Sequence, residues 1–297
     1  MTAPSFFRSL IDTGKTVVTR FIANGSLSRG AAISFYSVTS LAPVLLIVTA
    51  VAGLAFGRDD VRESLVREVG GIAGQGGGDL VRAMMENASD PRASVGATIL
   101  GLVIVLITAS GVFGEIQTAL NTTWKVATPS QAWFSLLRSR IVGLGLVATL
   151  GFLLVVSLAA SAALTALSNR YGTYLAGMPL LLSALNILVS LALFSLLFGA
   201  IYRTLPDTPI AWRDVATGAV LTAILFTLGK SLIGWYLGAA APGSVYGAAG
   251  APILIMLWIY YSAQILLLGA EITKAVADRR QLAAGGKPDG LQKLFPR

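Results

Sequence analysis

The sequence has no cysteine and no histidine among its 297 residues, and only 12% of its positions are Asp, Glu, Lys or Arg. Without cysteine there is no disulfide, no thiolate nucleophile and no thiolate-bound metal or cluster. Without histidine the commonest general base and the commonest ligand for zinc, copper or non-haem iron are missing. Soluble proteins carry about 25% charged residues, and half that density does not cover the surface of one soluble core of this size. Apolar residues make up 55% of the chain and gather in long runs between the charges. The pattern is that of an all-α integral membrane protein, with no cofactor and no metal expected.

A helix crosses a hydrocarbon core of about 30 Å with about 20 apolar residues. Six segments reach that length: Ala31–Phe56, Val95–Leu120, Ile141–Leu167, Pro179–Tyr202, Val215–Leu237 and Ala251–Ala270. The first begins only after some thirty residues and has no small-residue cleavage site behind it, so it reads as a retained span. The connections then divide by charge. One side holds Arg8, Lys15, Arg20 and Arg29, then Lys125, Arg138 and Arg140, then Arg203 and Arg213, and six cations in the tail. The other side holds five in the first loop, which also carries seven acids, and Arg170. The positive-inside rule places both termini in the cytoplasm of an inner membrane. It also accounts for the net charge of +8 without nucleic acid, since the cations are spread over four connections and form no single stripe.

Residues 1–30 contain a helical stripe of Phe6, Phe7, Leu10, Ile11, Val17, Val18, Phe21 and Ile22, closed by Asn24-Gly25. Two placements fit it: flat in the cytoplasmic interface, with membrane lipids as its partner, or packed against the helix bundle. The loop 57–94 between spans one and two reads as an extracytoplasmic helical hairpin. Val61, Leu65, Val69 and Ile72 share one helical face, Gly74 to Gly78 form a hinge, and Leu80, Val81, Met84 and Met85 begin a second helix. It is either a lid or a cap. The uncharged stretch from Gly238 to Pro252 suits a segment dipping toward the bundle interior. The membrane domain is thus 31–277, followed by a polar tail, 278–297, expected to be mobile.

Ionisable groups at membrane depth cost about 2.5–3.5 kcal/mol each on insertion scales, so each calls for an account. Lys230 lies about 22 Å along span five, where it either snorkels outward or joins a buried pair. Glu115, Gln117, Asn121 and Glu271 fall at similar depth near the inner side. Two carboxylates there suit a cation, a proton or a cationic substrate. The plainer alternatives are a local pair of Glu271 with Lys274, or both carboxylates simply solvated or paired with Arg138 and Arg140. Gln264 in span six and Asn186 in span four are amides of the sort that join helices. Pro43 removes a backbone hydrogen bond within span one, which makes it a kink or a gate. Small residues such as Gly218, Ala219 and Ala223 suit close helix packing, and a homo-oligomer equally.

Several of these segments together resemble one family. Gly30-Ala-Ala-Ile-Ser-Phe35-Tyr36, running on to Pro43, is similar to the opening motif of the YihY/BrkB membrane proteins. Leu205-Pro206-Asp207 with Trp212-Arg213-Asp214 and Gly218 resembles their fourth connection. Leu257 to Gln264 followed by Gly269-Ala270-Glu271 resembles their closing motif. The resemblance implies a six-span inner-membrane protein of the kind linked to export of lipids, lipopolysaccharide precursors or small metabolites. An older label of the family, a tRNA-processing ribonuclease, does not suit a chain with no histidine, no cysteine and no carboxylate cluster to hold catalytic metals.

Two functional expectations follow. The first is a transporter or a flippase for lipid or lipid-linked precursors, with a polar path through Glu115, Gln117, Asn121, Lys230, Gln264 and Glu271. The second is a scaffold or envelope-assembly factor working through the extracytoplasmic helices. An intramembrane protease is excluded in both its serine–histidine and its paired-aspartate forms, because every Asp lies in a loop or the tail.

Overall fold

The computed structural model describes residues 3–88, 111–126, 178–240 and 250–283, and every regular element among them is an α-helix. In chain order these are α1 (Ala3–Ala23), α2 (Ser26–Phe56), α3 (Arg58–Ala88), α4 (helical residues 111–124), α5 (Met178–Thr204), α6 (Trp212–Ala240) and α7 (Gly250–Ala283). The expected third span, most of the second, the uncharged residues 241–249 and the tail beyond 283 lie outside the described residues. The chain forms two compact units. One comprises Met1–Asn24, Gln117–Thr227 and Leu266–Arg297, and the other Gly25–Ile116 and Leu228–Ile265.

α1 ends where its Asn24 N–H closes on the Arg20 carbonyl at 2.8 Å, and Gly25 then turns the chain with φ +66°. That left-handed conformation costs a residue with a Cβ about 1–2 kcal/mol, which is why glycine stands there. α2 follows directly and runs unbroken through Pro43 to Phe56.

In the second unit α2 packs on α3. Helical backbone continues from Arg58 to Ala88 without the expected interruption at Gly74 to Gly78. The chain nevertheless folds back within it. A Cβ on Gly78 would lie 3.4 Å from the Gly70 Cα and 3.0 Å from the Val66 carbonyl oxygen. Residues eight apart in a straight helix stand about 12 Å from each other, so the bend falls between these glycines. Their bare α-carbons let the two arms meet. Val81 and Met85 beyond the bend are buried with Leu45 of α2, against Leu41, Leu65, Val66 and Val69. Also in this unit, the Ser34 hydroxyl donates to the Met256 carbonyl at 2.6 Å.

The first unit is built on α5, α6 and the C-terminal half of α7. Phe194 and Phe198 of α5 meet Phe226 of α6 at ring distances of 4.9 and 5.6 Å. Small residues bring the backbones close. A methyl on Gly218 would overlap Thr273, and one on Gly269 would overlap Thr222 and the Tyr202 hydroxyl. Tyr202, fully buried, donates to the Leu266 carbonyl at 2.7 Å and lies 3.1 Å from the Thr222 hydroxyl.

Among the described residues, two stretches are long and apolar enough to cross a membrane, Ile187–Thr204 of α5 and Pro252–Leu282 of α7. The outward surface agrees with a lipid environment. Leu185, Ile187, Leu188 and Leu196 on α5, and Val220, Leu221 and Ile224 on α6, are large, apolar and exposed. A water-soluble protein rarely presents contiguous apolar surface of this kind.

Candidate functional site: a buried carboxylate in a polar cluster

α7 carries no charge from Pro252 to Ala270 and then bears Glu271, Lys274 and Asp278 in successive turns, all three buried. The 3.6-residue period puts positions three and four apart on one face, so these groups form a single row. α1 lies along that row in the same unit. The Arg20 guanidinium donates to Asp278 Oδ2 at 2.8 Å, and the Asn24 amide donates to Glu271 Oε1 at 2.6 Å. α4 adds the third wall. Its Thr123 hydroxyl donates to the same Glu271 oxygen at 2.9 Å, and the Trp124 ring centroid stands 5.0 Å from Lys274 Nζ.

Lys274 does not turn to Glu271, the partner its spacing suggested. Its ammonium lies 3.0 Å from Asp278 Oδ1, an ion contact without hydrogen-bond alignment. Asp278 therefore serves two cations, Arg20 and Lys274. Glu271 is fully buried, takes two donors on one oxygen, and has no hydrogen-bond partner on Oε2. Beside the cluster an open cleft of about 170 Å³ separates α1 from the end of α7, with Arg20 and Asp278 in its lining.

A second polar knot lies in the same unit. Asn121 clasps Asp207 at two points: its amide donates to Oδ2 at 2.8 Å, and the Asp207 backbone N–H donates to Asn121 Oδ1 at 2.9 Å. Gln117, one turn earlier, reaches both carboxylate oxygens at 3.1 Å. This fixes the bend at 205–208, which a helix cannot enter because Pro206 follows Leu205. Arg203 and Trp212 hold the next part of the connection, with the guanidinium 5.4 Å from the ring centroid and bonded to the Ile210 carbonyl.

The six polar residues picked out by sequence thus divide between the units. Gln117, Asn121 and Glu271 belong to the first, where they form these two knots. Glu115, Lys230 and Gln264 belong to the second. Glu115 pairs with Arg29 at 3.3 Å; Arg138 and Arg140, the other partners considered for it, lie outside the described residues. Lys230 is exposed on α6 between exposed Leu228 and Leu232. The Gln264 amide nitrogen is 3.4 Å from the Leu27 carbonyl, in space left by Gly30, and its Oε1 is buried without a partner. The side chains of Pro43 and Asn186 lie outside the described ones. Sequence reasoning missed Arg20, Asn24, Thr123 and Asp278 as members of the Glu271 cluster, and Asp207 as the centre of the second knot.

Known proteins supply the last observation. The profile of the family described as "Virulence factor BrkB" matches residues 17–292. A "UPF0761 membrane protein" of Azotobacter vinelandii is 29% identical over 273 residues, which is 90% of this chain and 63% of that protein. Its namesake in Alcanivorax borkumensis is 28% identical over 88% of this chain and 59% of its own length. One in Pseudomonas aeruginosa is 26% identical over 92% and 65%. The chain therefore spans somewhat under two thirds of these relatives. No solved structure matches it. With an apolar exterior, helices long enough to span and a match over nearly its whole length, the chain is a membrane protein that belongs to the virulence factor BrkB family.

Proposed function

We propose that this chain is a six-span protein of the bacterial inner membrane, with both termini cytoplasmic, that moves a lipid or lipid-linked precursor across the bilayer. The observation that carries this reading is Glu271, a fully buried carboxylate with an unfilled acceptor at the end of a long apolar helix. Ionisable groups in such helices are costly to insert, and they mark substrate and ion routes more often than structural joints. The carboxylate is held by donors from two other helices and adjoins a row of further charges, so a polar headgroup arriving there finds both signs of charge. The acyl chains stay against the exposed apolar faces of α5 and α6. α1 suits the cytoplasmic interface: its polar side engages α7, while Ile11, Val18 and Ile22 face outward with Lys15 exposed beside them. In this reading the chain performs no catalysis.

The test is leaflet exchange of fluorescent phospholipids in proteoliposomes, followed by chemical quenching. Exchange by this protein, absent from empty liposomes and from an unrelated six-span protein, supports transport. Equal behaviour of all samples removes lipid movement and favours an assembly or scaffold role through the α3 region.

A further inference from the structure

The two oxygens of Glu271 are not equivalent. Oε1 accepts from Asn24 at 2.6 Å and from Thr123 at 2.9 Å, while Oε2 is buried with no hydrogen-bond partner. The charged groups around it are Arg20 on α1 and Lys274 and Asp278 on its own helix. Both cations are directed at Asp278. An ionised carboxylate shares its charge between two oxygens and needs donors at each, and a bare charged oxygen in a buried place is expensive. A protonated acid is asymmetric, with one carbonyl oxygen that accepts and one hydroxyl. The partners of Glu271 fit that form, with the carbonyl at Oε1 and the proton on Oε2. A metal ion fits poorly, because hard cations take six or more oxygen ligands. Here Asn24 presents its amide nitrogen and the Thr123 hydroxyl is committed as a donor.

We propose that Glu271 is a proton-binding site and that its proton is the ion coupled to transport. The coupling rests on the transport reading above; the proton site itself does not. The open cleft whose lining includes Asp12, Thr16, Arg20 and Asp278 stops at the charges that flank Glu271, and in this proposal the proton exchanges from that side. Glu271 can then be charged or neutral while Arg20, Lys274 and Asp278 stay fixed.

Infrared difference spectroscopy of the full chain in lipid, titrated with pH, reads the site without any transport. The expected result is a carbonyl stretch of a protonated carboxylic acid that is absent from Glu271→Gln. Thr123→Val keeps the acid but removes a donor to its carbonyl, so the band should persist and move to higher frequency. That variant guards against a Glu271→Gln protein that fails to fold. The same proteins in liposomes then read the coupling. An imposed proton gradient should speed exchange by at least about tenfold with the native chain and leave Glu271→Gln unchanged, a difference of about 1.4 kcal/mol in the driving step. No titrating band assignable to Glu271 overturns the proton site, even if exchange is seen. A band with exchange indifferent to the gradient overturns the coupling. A band with no exchange in any sample supports the site while removing the transport reading.

Discussion

Replacing Asp278 with Asn tests the most heavily used carboxylate in the cluster. Asp278 receives Arg20 at 2.8 Å and Lys274 at 3.0 Å, and the three side chains are only 8%, 12% and 8% exposed. Removing one partner of a buried ion pair typically costs about 3–5 kcal/mol, because the charge left behind stays desolvated. Asparagine still offers Arg20 a carbonyl, so the lower figure of about 3 kcal/mol applies. The loss should be local. α1 is held to α7 by this pair and by the bond from Asn24 to Glu271, and among its described side chains Val17 alone is fully buried. Hydrogen exchange of the α1 amides, measured by mass spectrometry in lipid nanodiscs, is the assay. About 3 kcal/mol raises the opening equilibrium roughly 150-fold, with α5 and α6 unchanged. Replacing all three members, Arg20→Met and Lys274→Met with Asp278→Leu, should restore most of the protection, since an apolar cluster of similar volume carries no desolvation cost and leaves no buried cation unpaired. If α1 exchanges within about twofold of the native rate in the single variant, the buried pair does not hold the helix and the reasoning fails.

Three further outcomes are expected. Gly218→Ala places a methyl against Thr273, whose Cα would be 3.0 Å away and has little room to yield, so the cost should be about 1–3 kcal/mol in equilibrium unfolding in mixed micelles. Asn121→Ala strips Asp207 of one side-chain donor and of the acceptor for its backbone N–H. Loss of about 1–3 kcal/mol should appear as a lower melting temperature, with increased protease cutting near 205–208. The chain has no cysteine, so single-cysteine variants report topology directly. Glu63→Cys should react with a membrane-impermeant maleimide in spheroplasts, while Thr2→Cys should react only after lysis.

Hydropathy made the apolar helices legible because lipid contact demands an uninterrupted apolar exterior; α5 follows from it almost residue by residue, while α7 begins where expected and continues past Ala270 to Ala283. Glu271 stood out for the same reason, as a charge set directly after an apolar run. Its partners did not. Asn24 looks like the end of α1 and Thr123 like an ordinary helix terminus, and each meets Glu271 across a separation of 247 or 148 residues that leaves no local signal. The amphipathic period of α1 was clear, yet not which side would pack. The apolar stripe left open both an interfacial and a packed placement; its Val17 is buried beside Arg20 and Asn24, which make the contacts to α7, while Ile11, Val18 and Ile22 stay exposed. Lys274 has Glu271 three residues before it and Asp278 four residues after it. Spacing permits either pair, and Glu271 is already occupied by neutral donors that need not be desolvated as charges. Asp207 read as part of a connection, because nothing around it in sequence shows that Gln117 and Asn121 of another helix surround it.

Whether the Glu271 cluster is the working part of a transport route is decided by one comparison. Native protein and Glu271→Gln, reconstituted at equal density and both shown to be folded, are assayed side by side for phospholipid leaflet exchange. Glutamine keeps an acceptor for Asn24 and Thr123 while removing the titratable group, so the expected result is a folded protein with exchange reduced to the rate of empty liposomes. Exchange at the native rate in the variant contradicts that role.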